Sequence, residues 1–251
     1  MGVRMFASFL AALVVAGCSS AADDASWLKR HSGGAVFYDD FTTKADGEIM
    51  PGDVSDSGQV YTPRRGGEDG NPQTPPLIIG GALTHARTNL NRSQSFYLSP
   101  GDLGGKAWRI GCRFLIPSGN APIESLVLIM SLEDWALRAS NGDARSAAAV
   151  HAVLTDTFMN FDTYDGHQLE TRLGRYTYEP LERNVVHEVE IEVADGRAVI
   201  TLPSGQIVTT PENERLNSWR GAFIALQLYG PKGITEPTPI KVLQWWGDTS
   251  P

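Results

Sequence analysis

Residues 185–210 read Val185-Val-His-Glu-Val-Glu-Ile-Glu-Val193, Ala194-Asp-Gly196, Arg197-Ala-Val-Ile-Thr-Leu202, Pro203-Ser-Gly205 and Gln206-Ile-Val-Thr-Thr210. In the first arm, Val185, His187, Val189, Ile191 and Val193 alternate with Glu188, Glu190 and Glu192. A period of two places successive side chains on opposite faces, which predicts a half-buried strand. Asp195-Gly196 and Ser204-Gly205 are turn pairs, because glycine accepts positive φ without a steric penalty. The stretch therefore predicts an antiparallel meander.

The same grammar runs outward in both directions. Residues 35–41 predict a first strand, and 61–76, rich in Gly, Pro and charge, predict a loop at the domain edge. Residues 77–83 predict a strand interrupted at Gly80-Gly81 by a bulge or tight bend. Short strands are expected at 95–98 and 107–116, the latter with Trp108, Ile110, Cys112, Phe114 and Ile116 on one face. Residues 125–132 form an unbroken apolar run, as in a strand buried on both faces. Residues 133–138 fit one helical turn or an irregular loop. Further strands are expected at 148–155, 158–164, 169–178, 221–229 and 240–246, with a short helix within 211–219. About a dozen short strands without a long helix predict an all-β chain, a two-sheet antiparallel β-sandwich or jelly roll.

Two further stretches carry a resemblance. Asp39-Asp-Phe41, then Ala45-Asp-Gly47, then Ser57-Gly-Gln-Val-Tyr61 resemble the opening of bacterial and phage domains with the concanavalin A-like lectin/glucanase fold, with Tyr61 in the place of the usual Trp. The strand beginning at His187, its turn, and the following strand ending at Pro203-Ser-Gly205 resemble that family's closing segment. The resemblance spans most of residues 35–246 and implies the fold rather than one activity. It also implies that a concave sheet carries any binding groove. Some members hold a structural calcium between their terminal segments, for which Asp39, Asp40 and Asp248 offer hard oxygen ligands; no other cofactor is expected.

The N-terminus is a targeting segment. Arg4 is the only charge before Asp23, and an apolar run over 6–15, too short to span a bilayer, leads into Val15-Ala-Gly-Cys18. This resembles the lipobox of bacterial lipoproteins, which implies cleavage before Cys18 and acylation of its thiol. The expected organisation is a signal peptide at 1–17, a lipidated cysteine and flexible tether at 18–34, and a sandwich domain at 35–251. The chain carries 29 acids against 21 Lys and Arg, a formal charge of −8. Removing 1–17 takes away one arginine and no acid. Such an acidic surface argues against nucleic acid as a partner and leaves acyl chains as the membrane attachment. With Cys18 taken, Cys112 is a lone cysteine on an apolar face, read as a small buried hydrophobe.

Alternation also proposes a ligand surface. Met159 and Phe161 suit the core, which sends Asn160, Asp162 and Tyr164 to the other face. Ile224, Leu226 and Leu228 suit the core, which sends Gln227 and Tyr229 outward. His151 opposes Val150, Ala152 and Leu154. Rings beside amides and carboxylates form a sugar-binding surface, because rings cover the apolar sugar faces and polar groups bond the hydroxyls. The same residues also suit ordinary cross-strand pairs. Glycoside hydrolysis needs two opposed carboxylates. The Glu-x-Asp-x-x-Glu strand of laminarinase-type members is absent, and Glu188, Glu190 and Glu192 read as a solvated face. Lyase-type jelly rolls use a Gln-x-His strand with a distant Arg and Tyr; here His151 is present, Ala149 replaces the glutamine, and Arg109, Arg113, Tyr176 and Tyr178 are the candidate partners. No phosphate-cradling glycine loop or Gly-x-Ser-x-Gly elbow occurs. The expectation is a lipid-anchored envelope protein with a non-catalytic carbohydrate-binding or interaction module. The alternatives are a polysaccharide-degrading enzyme of the same fold and a structural envelope protein that binds another protein.

Overall fold

The computed structural model describes residues 36–67, 75–84, 94–134, 148–165, 168–230 and 238–250, with side chains described throughout except at 64–67, 94–95 and 250. Within them run β1 (Phe37–Asp40), β2 (Gly47–Glu48), β3 (Thr62–Gly67), β4 (Leu77–Ile78), β5 (Leu83–Thr84), β6 (Gln94–Ser99), β7 (Lys106–Leu115), β8 (Ser125–Ser131), β9 (Ala148–Leu154), β10 (Phe158–Asp165), β11 (Gln168–Thr177), β12 (Val186–Ala194), β13 (Arg197–Thr201), β14 (Ile207–Thr209), β15 (Phe223–Gly230) and β16 (Lys241–Ser250). A 3-10 turn covers Phe41–Thr43, and a short α-helix, α1 (Glu214–Asn217), is capped by the Asn213 side chain, which accepts from the Arg215 backbone N–H.

The strands form two antiparallel sheets. The nine-stranded sheet runs β14-β13-β12-β7-β16-β5-β4-β2, with β1 also paired to β16; the seven-stranded sheet runs β11-β10-β9-β8-β15-β6-β3. Their facing sides share one core, to which the first sheet brings Phe37, Ile110, Phe114, Val189, Ile191, Ile200 and Trp245, and the second Phe96, Leu98, Leu128, Val150, Phe161, Ile224, Leu226 and Leu228. This is the two-sheet sandwich that the alternation predicts. Cys112 sits in that core, fully buried, and burial pushes its thiol pKa well up.

The meander of 185–210 is β12-β13-β14. Asp195 (φ 50°) and Gly196 (φ 73°) both take left-handed backbone, as a two-residue type I′ hairpin turn requires.

Several expectations need correction. The 61–76 loop contains β3, an edge strand paired to β6 alone; an edge position tolerates Pro63 because one side needs no ladder partner. The strand expected at 77–83 is a hairpin, β4-β5, folded back at Gly80-Gly81. Trp108 leaves the core face of β7: the register with β16 passes from Asp248↔Arg109 to Thr249↔Ala107, so Trp108 is the extra residue of a β-bulge and Ala107 takes the core position. Glu188, Glu190 and Glu192 lie on an interior strand, half-buried, with Glu190 accepting a 2.7 Å hydrogen bond from the Trp246 indole.

Candidate functional site

The face of the seven-stranded sheet turned away from the core carries the candidate site. One cross-strand row spans all seven strands: Arg175–Asn160–Val153–Val127–Gln227–Tyr97–Arg64. At 4.7–4.9 Å per strand, the row is about 29 Å long. A parallel row runs Arg172–Asp162–His151–Ile129–Ala225, and a third Leu169–Tyr164–Ala149–Ser131–Phe223. The middle of the face is apolar: Val127, Ile129, Ala149 and Ala225 are buried and pack with the partly buried Tyr97, Val153 and Tyr164.

Around that apolar patch the face is aromatic and polar. His151 and Tyr164 stack with ring centroids 4.1 Å apart and planes 24° apart. Beside them the buried Asp162 carboxylate accepts from Arg172 Nε (2.9 Å) and Nη2 (3.3 Å). This pair depends on irregular pairing. Leu173 is an extra residue between Gly174↔Phe161 and Arg172↔Asp162, and Glu170 another between Thr171↔Thr163 and Leu169↔Tyr164. Bulges of this kind re-aim side chains, and these two bracket the stretch that sets Arg172 opposite Asp162. Burial, and next the Asp162 charge, raise the Tyr164 pKa against the opposing pull of Arg172. The Arg175 guanidinium lies 4.0 Å from the centre of the Phe158 ring, a cation–π contact. The buried Oδ1 of Asn160, opposite Arg175, has no hydrogen-bond partner.

All six residues proposed as ligand contacts, His151, Asn160, Asp162, Tyr164, Gln227 and Tyr229, therefore lie on one sheet face, in two groups. The first four sit together on β9 and β10. Gln227 and Tyr229 sit on β15, three strand spacings or about 14 Å from β10. The reading missed Phe158, which shares the parity of Asn160 and was within reach of it. It also missed Arg172 and Arg175, whose register rests on bulges that leave no mark in the alternation. Of the lyase-type partners considered, Arg109 and Arg113 belong to the other sheet, bonded to Asp248 and Gln244, and Tyr176 and Tyr178 pack against the core. Tyr164 and Arg172 stand near His151 instead. On β9, β10 and β11 the carboxylate that shares this parity is Asp162, which is committed to Arg172; Asp102, bridged to Phe223, brings another to the far side of the face.

The three aspartates considered for calcium do not form a cage. Asp39 points into the core, bonded to the Tyr61 hydroxyl and to Lys44 at 2.8 Å. Asp40 accepts from Gln244 and Thr42, and Asp248 from Arg109 and the Val36 backbone. Asp40 and Asp248 pair at positions four residues apart along β16 and β1, about 13 Å, against calcium–oxygen distances of about 2.4 Å. Among the described residues, no group of three or more His, Cys, Asp or Glu is placed to hold a metal ion. His31, His85 and His167 lie outside the described residues, as does Cys18.

Clefts elsewhere are bounded by satisfied groups. One of about 370 Å³ is walled by the Glu170–Arg215 ion pair. One of about 540 Å³ borders His187, whose Nε2 bonds the Glu182 carbonyl.

No protein-family model matches the sequence, and no curated protein matches it significantly. Solved structures do match in fold. A β-glucanase from Bacillus licheniformis is 10% identical with a TM-score of 0.56, over 87% of this chain and all of that one. A protein of unknown function with a galectin-like fold from Bacillus subtilis is 10% identical with a TM-score of 0.53, over 86% of this chain and 96% of its own. The exoplasmic/lumenal domain of VIP36, in a Ca²⁺/Man3GlcNAc-bound form, is 10% identical with a TM-score of 0.50, over 76% and 84%. At these identities the likeness is one of fold: the chain is a concanavalin A-like, galectin-like β-sandwich.

Proposed function

We propose that this chain is a lipid-anchored envelope protein that binds glycan on the outer face of its seven-stranded sheet. The observation that carries the reading is the composition of that face. Phe158, Tyr164, Tyr97, Tyr229 and Phe223 are partly exposed rings on strands that also present Asn160, Gln227 and the Asp162–Arg172 pair. Rings stack on the apolar faces of sugars while amides and ion pairs bond hydroxyls. The fold agrees with it, since structures of this type include a β-glucanase and a lumenal domain bound to Man3GlcNAc. The full chain, purified in detergent, is expected to bind particular polysaccharides on a glycan array, and Tyr229→Ala with Phe158→Ala to weaken that binding. Absence of binding to any glycan would leave an envelope-protein partner as the better reading.

A second reading, a polysaccharide-degrading enzyme, is favoured by the His151–Tyr164 stack. An imidazole and a phenol, the ring types that serve as general base and general acid, stand stacked on one face. Incubation of any bound polysaccharide should then release new chain ends, and His151→Ala should abolish the release with a much smaller loss of binding.

The anchor rests on Val15-Ala-Gly-Cys18. Cys18→Ser is expected to accumulate the uncleaved precursor, and metabolic labelling with palmitate should mark the natural chain and not the variant. Label on both would remove Cys18 as the attachment point.

A further inference from the structure

We infer that the glycan is acidic, bound across the strands through its carboxylate or sulfate groups by Arg175; this rests on the glycan-binding reading of the same face. The argument is one of charge distribution. The chain has 29 acids against 21 Lys and Arg, so an arbitrary patch of its surface should be negative. The β9–β11 end of the outer face of the seven-stranded sheet departs from that. Asp162 is neutralised by Arg172. Arg175 is exposed on the edge strand and has no carboxylate partner among the described residues. The row through Asn160 and Gln227 begins at Arg175 and ends, in register, at Arg64. An exposed, unpaired Arg175 beside an acid that Arg172 already neutralises favours an anion laid at this end of the face.

The local geometry adds a subsite. Phe158 holds the Arg175 guanidinium over its ring, which limits the freedom the side chain would lose on binding. Asn160 stands directly opposite Arg175, with its buried Oδ1 unpartnered. A sugar carrying an anionic group would meet the planar donor fork of Arg175. A hydroxyl of the same sugar would donate to Asn160 Oδ1, the one acceptor there that has no partner.

The test compares polygalacturonate with its carboxyl-reduced counterpart, which keeps the linkages and loses the charge, and dextran sulfate with dextran, by titration of the full chain in detergent. The expected result is binding to one or both anionic polymers and at least tenfold weaker binding to the neutral partner, with affinity falling as salt is raised. The arm that binds separates carboxylate from sulfate recognition. Arg175→Gln should lose about tenfold in affinity for the anionic polymer, as expected for one charge-assisted contact. Arg175→Lys should keep more of that affinity, and an unchanged thermal midpoint in both variants would exclude a folding defect. Equal binding to the charged and neutral members of a pair would overturn the inference and leave glycan binding standing. Binding to neutral glycans alone would do the same. Binding to no glycan would overturn both.

Discussion

Gly111 lies against the indole of Trp246. A Cβ at this position would sit 2.4 Å from the ring and 2.8 Å from the Val189 carbonyl oxygen. Trp246 has no room to move, because it is fully buried and its Nε1 donates to Glu190. Gly111→Ala is therefore expected to cost about 1–3 kcal/mol, the usual range for overpacking, read as a lower urea midpoint at unchanged m. The Asp162–Arg172 pair gives an asymmetric prediction. Asp162 is buried, whereas the Arg172 side chain is 44% exposed. Removing the arginine strands a buried carboxylate, while neutralising the acid leaves a guanidinium that water can reach. Arg172→Ala should thus destabilise by about 1–3 kcal/mol, and Asp162→Asn by clearly less. Equal losses in chemical denaturation would mean that the pair is not carrying the buried charge.

At the scale of elements, the β12–β13 hairpin is the sharpest local commitment in the chain. Gly196 at φ +73° is strained for any L side chain, and a Cβ there would also come within 3.3 Å of Glu212 and Asn217. Gly196→Ala should cost about 1–2 kcal/mol, visible as a lower thermal midpoint with the far-ultraviolet spectrum retained. This hairpin was legible in the sequence because its two signals, strict alternation and Asp195-Gly196, are both local. The outward placement of His151, Asn160, Asp162, Tyr164, Gln227 and Tyr229 was legible for the same reason: parity within a strand needs no knowledge of its neighbours. The edge strand β3 was not, because its ladder bonds come from one partner and Thr62-Pro-Arg-Arg-Gly-Gly67 has no apolar period of its own. Nor was the bulge at Trp108, which appears only as a register shift against β16. The Arg172–Asp162 and Arg175–Asn160 pairings follow from a bulged register between two strands. They are properties of a pair of elements, and neither strand contains them alone.

For the whole molecule, Asp39 sets a pH dependence. It is buried at one end of the core with Tyr61 and Lys44, and burial raises its pKa despite the hydrogen bonds and charge that pull it down. Above about pH 3.9 the unfolded chain loses this proton while the native state still holds it. The native state then binds more protons, so this contribution to stability is complete below the unfolded value and is lost as pH rises through the folded one. Asp39→Asn, uncharged throughout, should flatten the decline in thermal midpoint as pH rises above about 4; an unchanged slope would assign the dependence to other groups. The pairing of β1 with β16, Phe37 opposite Gly247 and Asp40 opposite Gln244, has a consequence for how the domain is made. β16 occupies the interior of its sheet, between β7 on one side and β1 and β5 on the other. Until β16 has been made, β1, β5 and β7 lack their shared ladder partner and that seam stays open. With its first and last strands side by side, a circular permutant joined across them and reopened at a surface turn is expected to fold.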